Sequence, residues 1–382
     1  MNPSHLIAAL IAQTQAQVPL PSPDPLGYPV PAILLQILSY FTLGLHFIAV
    51  NFTLGGLIYL VWTKIRKVDN GASEFLSSSL PLGFSYLVTL GIPPLLFVQV
   101  MYGQMFYSSS VIIGAFWILV VPLLILAYGM LYLNKLKKDT RPNTRLVILG
   151  ISLLAMLTIG FIYVNNLTLS MTPGMWMEKY TANPAGSQLN HGEPTLFARY
   201  ALFMSPALVV AGAALVLVGI LRSKWRGDDA GVPIHELGMK GHLIGRVATL
   251  AAAGALISTL PKEFLDTLMA GPGKLFLIFG VGLAALSTAM VVVAAQKKGT
   301  VFGIIGIVLM VLEVIMFIAV RDFLRQIYLA EFFKFEDVPV HEQWGMVGIF
   351  VASMVAGLAL LIVLTVKVSK SAIARYKESH AA

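Results

Sequence analysis

Residues 30–62 read VPAILLQILSYFTLGLHFIAVNFTLGGLIYLVW, a run without one charged side chain. Wound as an α-helix at about 1.5 Å per residue, it outreaches the roughly 30 Å hydrocarbon core of a bilayer. A helix apolar on every side is buried in protein or lipid. His46 and Asn51 interrupt the run. Ser39, Thr42 and Thr53 stand at −7, −4 and +7 from His46 and share its helix face. That polar stripe must face protein or a cofactor rather than lipid.

The rest of the chain follows the same pattern. It is 57% hydrophobic and 12% charged, with a mean hydropathy of +0.82; soluble domains carry about 25% charged residues. Period-two alternation is absent, which excludes an outer-membrane barrel. Apolar runs recur at about 31–64, 83–107, 112–135, 145–170, 197–222, 241–262, 273–296, 299–321 and 343–367. The fold class is therefore an all-α integral membrane protein, a bundle of about nine transmembrane helices. Residues 1–30 form an outward-facing segment, 31–367 the membrane domain and 368–382 a cytoplasmic tail.

Charge sets the orientation. Lys64, Arg66, Lys67, Lys135, Arg141, Arg222, Lys240, Arg246, Lys297, Lys298 and Lys367 fall on one side of the alternating spans. Basic residues favour the cytoplasmic side, so the N-terminus faces out and the C-terminus in. The net charge of +8 is clustered between spans, the distribution of inner loops, and does not indicate nucleic acid. Cysteine is absent, which removes thiolate metal sites, disulfides and covalent haem attachment on this chain. Residues 1–17, MNPSHLIAALIAQTQAQ, resemble a weak signal peptide lacking a positive start and are read as a retained outward segment. Two outward connections, 171–196 and 322–342, are rich in aromatics and charges and read as packed caps or docking surfaces.

Polar groups at membrane depth are costly and mark function. Glu313 sits in GIVLMVLEVIMFIAVRDFLRQ, residues 306–326. A carboxylate there is protonated, paired or metal-bound. Arg321 follows eight residues later, about 12 Å along the same face. A metal-bearing macrocycle near Glu313, its anionic arms reaching Arg321 and Arg325, has that span, and haem has that shape. The bland alternatives stay open: a neutral Glu313 bonded to Gln99, Gln104 or an asparagine, and His46 donating to a neighbouring carbonyl. In GIPPLLFVQVMYGQMFYSSS, residues 91–110, Pro93 and Pro94 disturb the helix, and Gln99 and Tyr102 share one face. Gln99 can bond a cofactor, a quinone carbonyl or water.

Nine helices, a histidine on the first and a glutamate on the eighth: this resembles the large subunit of cytochrome bd-type quinol oxidases. The string LEVIMFIAVR, 312–321, is similar to the family's eighth helix, and NNLTLSMTPGMW, 165–176, is loosely similar to its asparagine-containing segment. The strings LLFVQVMYGQ and NNLTL also resemble those of bd-like proteins from anaerobic and soil bacteria. The resemblance implies haem b with His46 and Glu313 as metal ligands near the outer face, and Glu313 in a catalytic, proton-supplying role. It implies electron transfer between quinone and an outward-facing partner, such as a c-type cytochrome, or a small oxidant, in a bacterial cytoplasmic membrane beside other subunits. Span five begins FARYALFM, without the family's second haem histidine, and the connection KEFLDTLMAGPG, 262–273, is short where the family oxidises quinol. A cofactor-free scaffold subunit and a proton-coupled transporter remain as alternative readings.

Overall fold

The computed structural model describes residues 20–21, 25–68, 71–137, 141–226, 229 and 231–379. The apolar stretch 6–12, most of the outward segment 1–30 and the end of the tail lie outside them. The secondary structure of the described residues is helical, apart from one isolated β-bridge between Tyr28 and Val340. In chain order the helices are α1 (Ala32–Ile65), α2 (Ala72–Ile112), α3 (Gly114–Leu136), α4 (Pro142–Ser170), the short α5 (Trp176–Ala182), α6 (Leu196–Met204) and α7 (Pro206–Arg226). Then come α8 (Val232–Thr259), the short α9 (Lys262–Ala270), α10 (Gly273–Lys297), α11 (Thr300–Leu329) and α12 (Trp344–Ser379). Counting α6 with α7 as one, nine helical spans among the described residues are long and apolar enough to cross a membrane.

Several helices run further than hydropathy predicts, and in three of them polar or small residues explain it. α2 begins at Ala72 rather than near 83. Its serines satisfy themselves: Ser78 donates to the Phe75 carbonyl at 2.8 Å, and Ser73 bonds Thr63 of α1 at 2.9 Å. Such local bonds let hydroxyls enter a helix without water. α8 begins at Val232 rather than near 241 because its glycines permit backbone contact with α7. A Cβ on Gly238 would stand 2.6 Å from the Gly212 carbonyl oxygen. Small residues of this kind drive close helix packing in membranes. α11 continues through the polar residues 321–326 to Leu329, because Asp322 finds hydrogen-bond donors and the two arginines find aromatic faces inside the bundle.

α1 is central and packs on α2, α7 and α11. α2 carries Pro81, Pro93 and Pro94 and breaks its helical geometry at Tyr102 (φ −132°, ψ 29°). α12 lies at the periphery, touching α2 through the Phe97–Phe350 edge contact (5.2 Å) and a Tyr86–Thr365 hydrogen bond (3.3 Å). It continues helically to Ser379, past the expected start of the tail at 368.

The end of the bundle near Tyr102 is capped. Tyr28 N–H donates to the Pro339 carbonyl (2.8 Å), and His341 N–H donates back to Tyr28 (2.9 Å). Connection 171–196 packs as well. Trp176 Nε1 donates to the Leu169 carbonyl (2.8 Å), and Asn190 N–H donates to Asn165 Oδ1 (2.9 Å). Asn166 ties α4 to Ser109 and Ser110 of α2 at 2.9 and 2.8 Å.

Candidate functional site

The capped end holds a cluster of buried charge. Asp322 of α11 is 4% exposed. Its Oδ1 accepts from the Tyr102 hydroxyl of α2 (2.8 Å), and its Oδ2 accepts from the Tyr40 hydroxyl of α1 (2.8 Å) and Gln326 Nε2 (3.0 Å). The break in α2 at Tyr102 sits where that side chain reaches α11. Beside Asp322 stand Arg325, whose guanidinium carbon lies 4.4 Å from the Tyr102 ring centroid, and Arg321, 5.8 Å from Phe203; Arg199 of α6, 5.3 Å from Tyr328, lies within electrostatic reach of Arg321. Outside the spans, burial pushes the Tyr28 phenol above its ordinary pKa, with Asp322 and Glu336 adding to the rise.

A second cluster sits mid-span. Both carboxylate oxygens of Glu313 face Arg246 of α8: Nη1 bonds Oε1, and Nη2 donates to Oε2 at 2.6 Å. Ser287 of α10 donates to Oε2 (3.0 Å) and accepts from Arg246 Nη2 (2.8 Å). The guanidinium fork thus holds the carboxylate bidentately, the strong form of this pair.

His46 engages a different helix. Its Nδ1 lies 2.9 Å from the Leu87 carbonyl oxygen of α2. A Cβ on Gly91 would stand 3.0 Å from the imidazole Cε1, so the ring rests flush on glycine backbone. α1 and α11 are neighbours, with Gly44 against Ile315 and Ile318. Yet His46 bonds toward α2 while Glu313 bonds toward α8 and α10, so the two implied metal ligands do not turn toward a common site.

Each expected site residue thus has a definite place. Arg321 and Arg325 meet in one cluster. Gln99 is half-buried on α2 and bonds neither cluster. Glu313 is committed to an ion pair, which corrects its assignment as a metal ligand and excludes the neutral acid bonded to Gln99 or Gln104. Arg246, counted among inner-loop charges, is inside the bundle with a side chain 12% exposed. Asp322, Tyr40, Arg199, Arg246 and Ser287 were not foreseen as site residues. The signal for α8 was present: Gly231, Gly238 and Gly245 recur every seven residues, marking a buried face that runs past Arg246.

These residues can be tested against a haem. A ligating histidine normally donates its other ring N–H to a carbonyl or carboxylate; the Leu87 contact accommodates that tautomer and directs Nε2 away for a metal. Arg321 Nε and Arg325 Nε are buried without an acceptor, as an anionic arm would require. His46, Arg321 and Arg325 fit the group. Glu313 does not, since its oxygens are taken.

No family model and no curated protein match the chain. Among solved structures it is similar to a chain of the bd oxidase from Geobacillus thermodenitrificans, with a TM-score of 0.66 and 13% sequence identity. The superposition covers 93% of this chain and 100% of that one. The likeness is one of fold.

Proposed function

We propose that this chain is a membrane subunit of a respiratory electron-transfer complex, holding haem b through His46 with Arg321 and Arg325 toward the propionates. The observation that carries the reading is His46, bonded through Nδ1 to Leu87 on a bundle that follows a bd oxidase chain end to end. A haem held there supplies one-electron exchange between a quinone pool and an outward partner, such as a c-type cytochrome, or a small oxidant. The Leu87 carbonyl fixes the tautomer and the orientation of the imidazole. The apolar walls exclude water and strengthen nearby charge interactions. Asp322, fixed by two tyrosines, holds a negative charge beside the arginines. Glu313 serves as the counter-charge of Arg246 rather than as a ligand. The Lys- and Arg-rich end faces the cytoplasm of a bacterial cell, which puts the Asp322 cluster near the outer face.

A dithionite-reduced minus oxidised spectrum of the complex purified through this chain tests the reading. A Soret band lost in His46→Ala supports it. A colourless, intact complex favours the scaffold reading, to which the closed Glu313–Arg246 pair lends weight.

A further inference from the structure

Three arginines converge at the capped end, and none has a carboxylate within 4 Å among the described residues. Arg199 is 3% exposed and Arg325 5%. Arg199 Nη2, Arg321 Nε and Arg325 Nε are all buried without an acceptor. Arg321, Arg325 and Tyr328 form one stripe of α11, at i, i+4 and i+7. Arg199 and Phe203, at i and i+4, form the facing stripe of α6. The stripes interlock, with Arg199 over Tyr328 and Arg321 over Phe203. Arg325, Asp322 and Arg199 all lie within electrostatic reach of Arg321.

The charges do not balance. Asp322 is the one buried carboxylate of the cluster, and its oxygens are already taken by Tyr40, Tyr102 and Gln326. Glu193 is half-buried and approaches Arg199 only through Thr195, whose hydroxyl accepts from Arg199 Nε (2.7 Å) and donates to the Glu193 carboxylate (2.7 Å). Three cations against one anion leave two positive charges without a direct buried partner. Burying a charge without a counter-charge costs several kcal/mol, and aromatic faces recover only about 0.5–2 kcal/mol each.

We propose that Arg199, Arg321 and Arg325 form one binding site for an amphiphile bearing two negative charges, with Arg199 its third arm. The inference rests on the haem reading for one source of that chemistry, a porphyrin with two free propionates. A lipid with two phosphates is the other source. A neutral quinone head lacks the charge the site calls for.

The full-length chain, purified in detergent from haem-deficient cells, is mixed with haem b, with its propionate dimethyl ester, with cardiolipin and with a short-chain quinone. Melting temperature and Soret absorbance are read. Free-acid haem is expected to bind and raise the melting temperature, and the dimethyl ester to bind far more weakly. Arg199→Gln, like Arg321→Gln and Arg325→Gln, is expected to weaken haem binding roughly ten- to hundredfold, the loss expected for a hydrogen bond to a charged group. Ester and free acid binding equally would overturn the dianion inference and leave the haem reading standing. Arginine-dependent stabilisation by cardiolipin with no haem bound would overturn the haem reading and support the dianion inference. Arg199→Gln without effect on an otherwise arginine-dependent ligand overturns its place as the third arm. Binding in no arm, or quinone binding as strongly as haem, overturns the proposal. The ester comparison uses the unaltered chain, so it does not depend on any variant folding.

Discussion

The Tyr102 hydroxyl donates at 2.8 Å to Asp322, a residue 220 positions further along the chain. With Tyr40 it pins a carboxylate beside Arg321 and Arg325, and so joins α1, α2 and α11 at one end of the bundle. Replacing Asp322 by Asn leaves those cations with no negative neighbour in the cluster. Asp322→Asn weakens three hydrogen bonds to a charged acceptor at once and should cost more than Tyr102→Phe, which removes one of them at about 1.5–3 kcal/mol. Thermal unfolding in detergent checks the order. An Asp322→Asn chain as stable as the parent would show that the carboxylate is not holding this end together.

The bundle itself was legible because bilayer thickness imposes a length on apolar runs that needs no knowledge of contacts. Nine spans follow from that alone; the adjacency of the first and eighth does not, and is implied only by the resemblance. The polar sites were less legible for a related reason. Asp322 and Arg325 lie where hydropathy falls, so they read as the start of a connection. The helix continues because Tyr40 and Tyr102, distant in sequence, supply donors. Arg246 lies near the predicted mouth of a span, where arginine normally marks the interface. Only the glycine-lined contact with α7 carries α8 far enough past that mouth to bury it. Glu313 reads as a mid-span carboxylate that must be protonated, paired or metal-bound, and the arginine it pairs with sits 67 residues away.

The Glu313–Arg246 pair makes its own prediction. Glu313→Gln strands a buried guanidinium and should destabilise the chain by about 3–5 kcal/mol, while Arg246→Met with Glu313→Leu, removing both charges, should recover much of that loss. A double-mutant cycle read by unfolding in detergent measures the coupling. Additive single losses, with no recovery in the double variant, would mean that the two side chains do not depend on each other.

Tyr28 lies before α1, and its phenol is held above the ordinary value of 10.0 chiefly by burial. The folded state therefore keeps this proton more tightly than the unfolded chain. Its contribution to stability is complete below the unfolded value and declines as pH rises above it. Tyr28→Phe should thus show a flatter fall of melting temperature between about pH 9 and 11 than the parent chain. Equal slopes would remove Tyr28 from the alkaline response.

Gly91 gives a test of His46 that leaves the histidine in place. A methyl group there would stand 3.0 Å from Cε1 and 3.1 Å from Nδ1 of the imidazole, too close without movement. Gly91→Ala should push the ring from the Leu87 carbonyl at a stability cost of about 1–3 kcal/mol, the usual penalty of overpacking. If His46 ligates haem, that displacement changes the ligand's orientation and its hydrogen bond, both of which tune the iron. The expected result is a shifted Soret maximum and reduction potential in a chain that still assembles. Ser287→Ala, in the Glu313 pair, should leave the spectrum unchanged while lowering stability by about 1.5–3 kcal/mol. An unaltered spectrum in Gly91→Ala, with the imidazole shown by structure to have moved, would detach His46 from the iron.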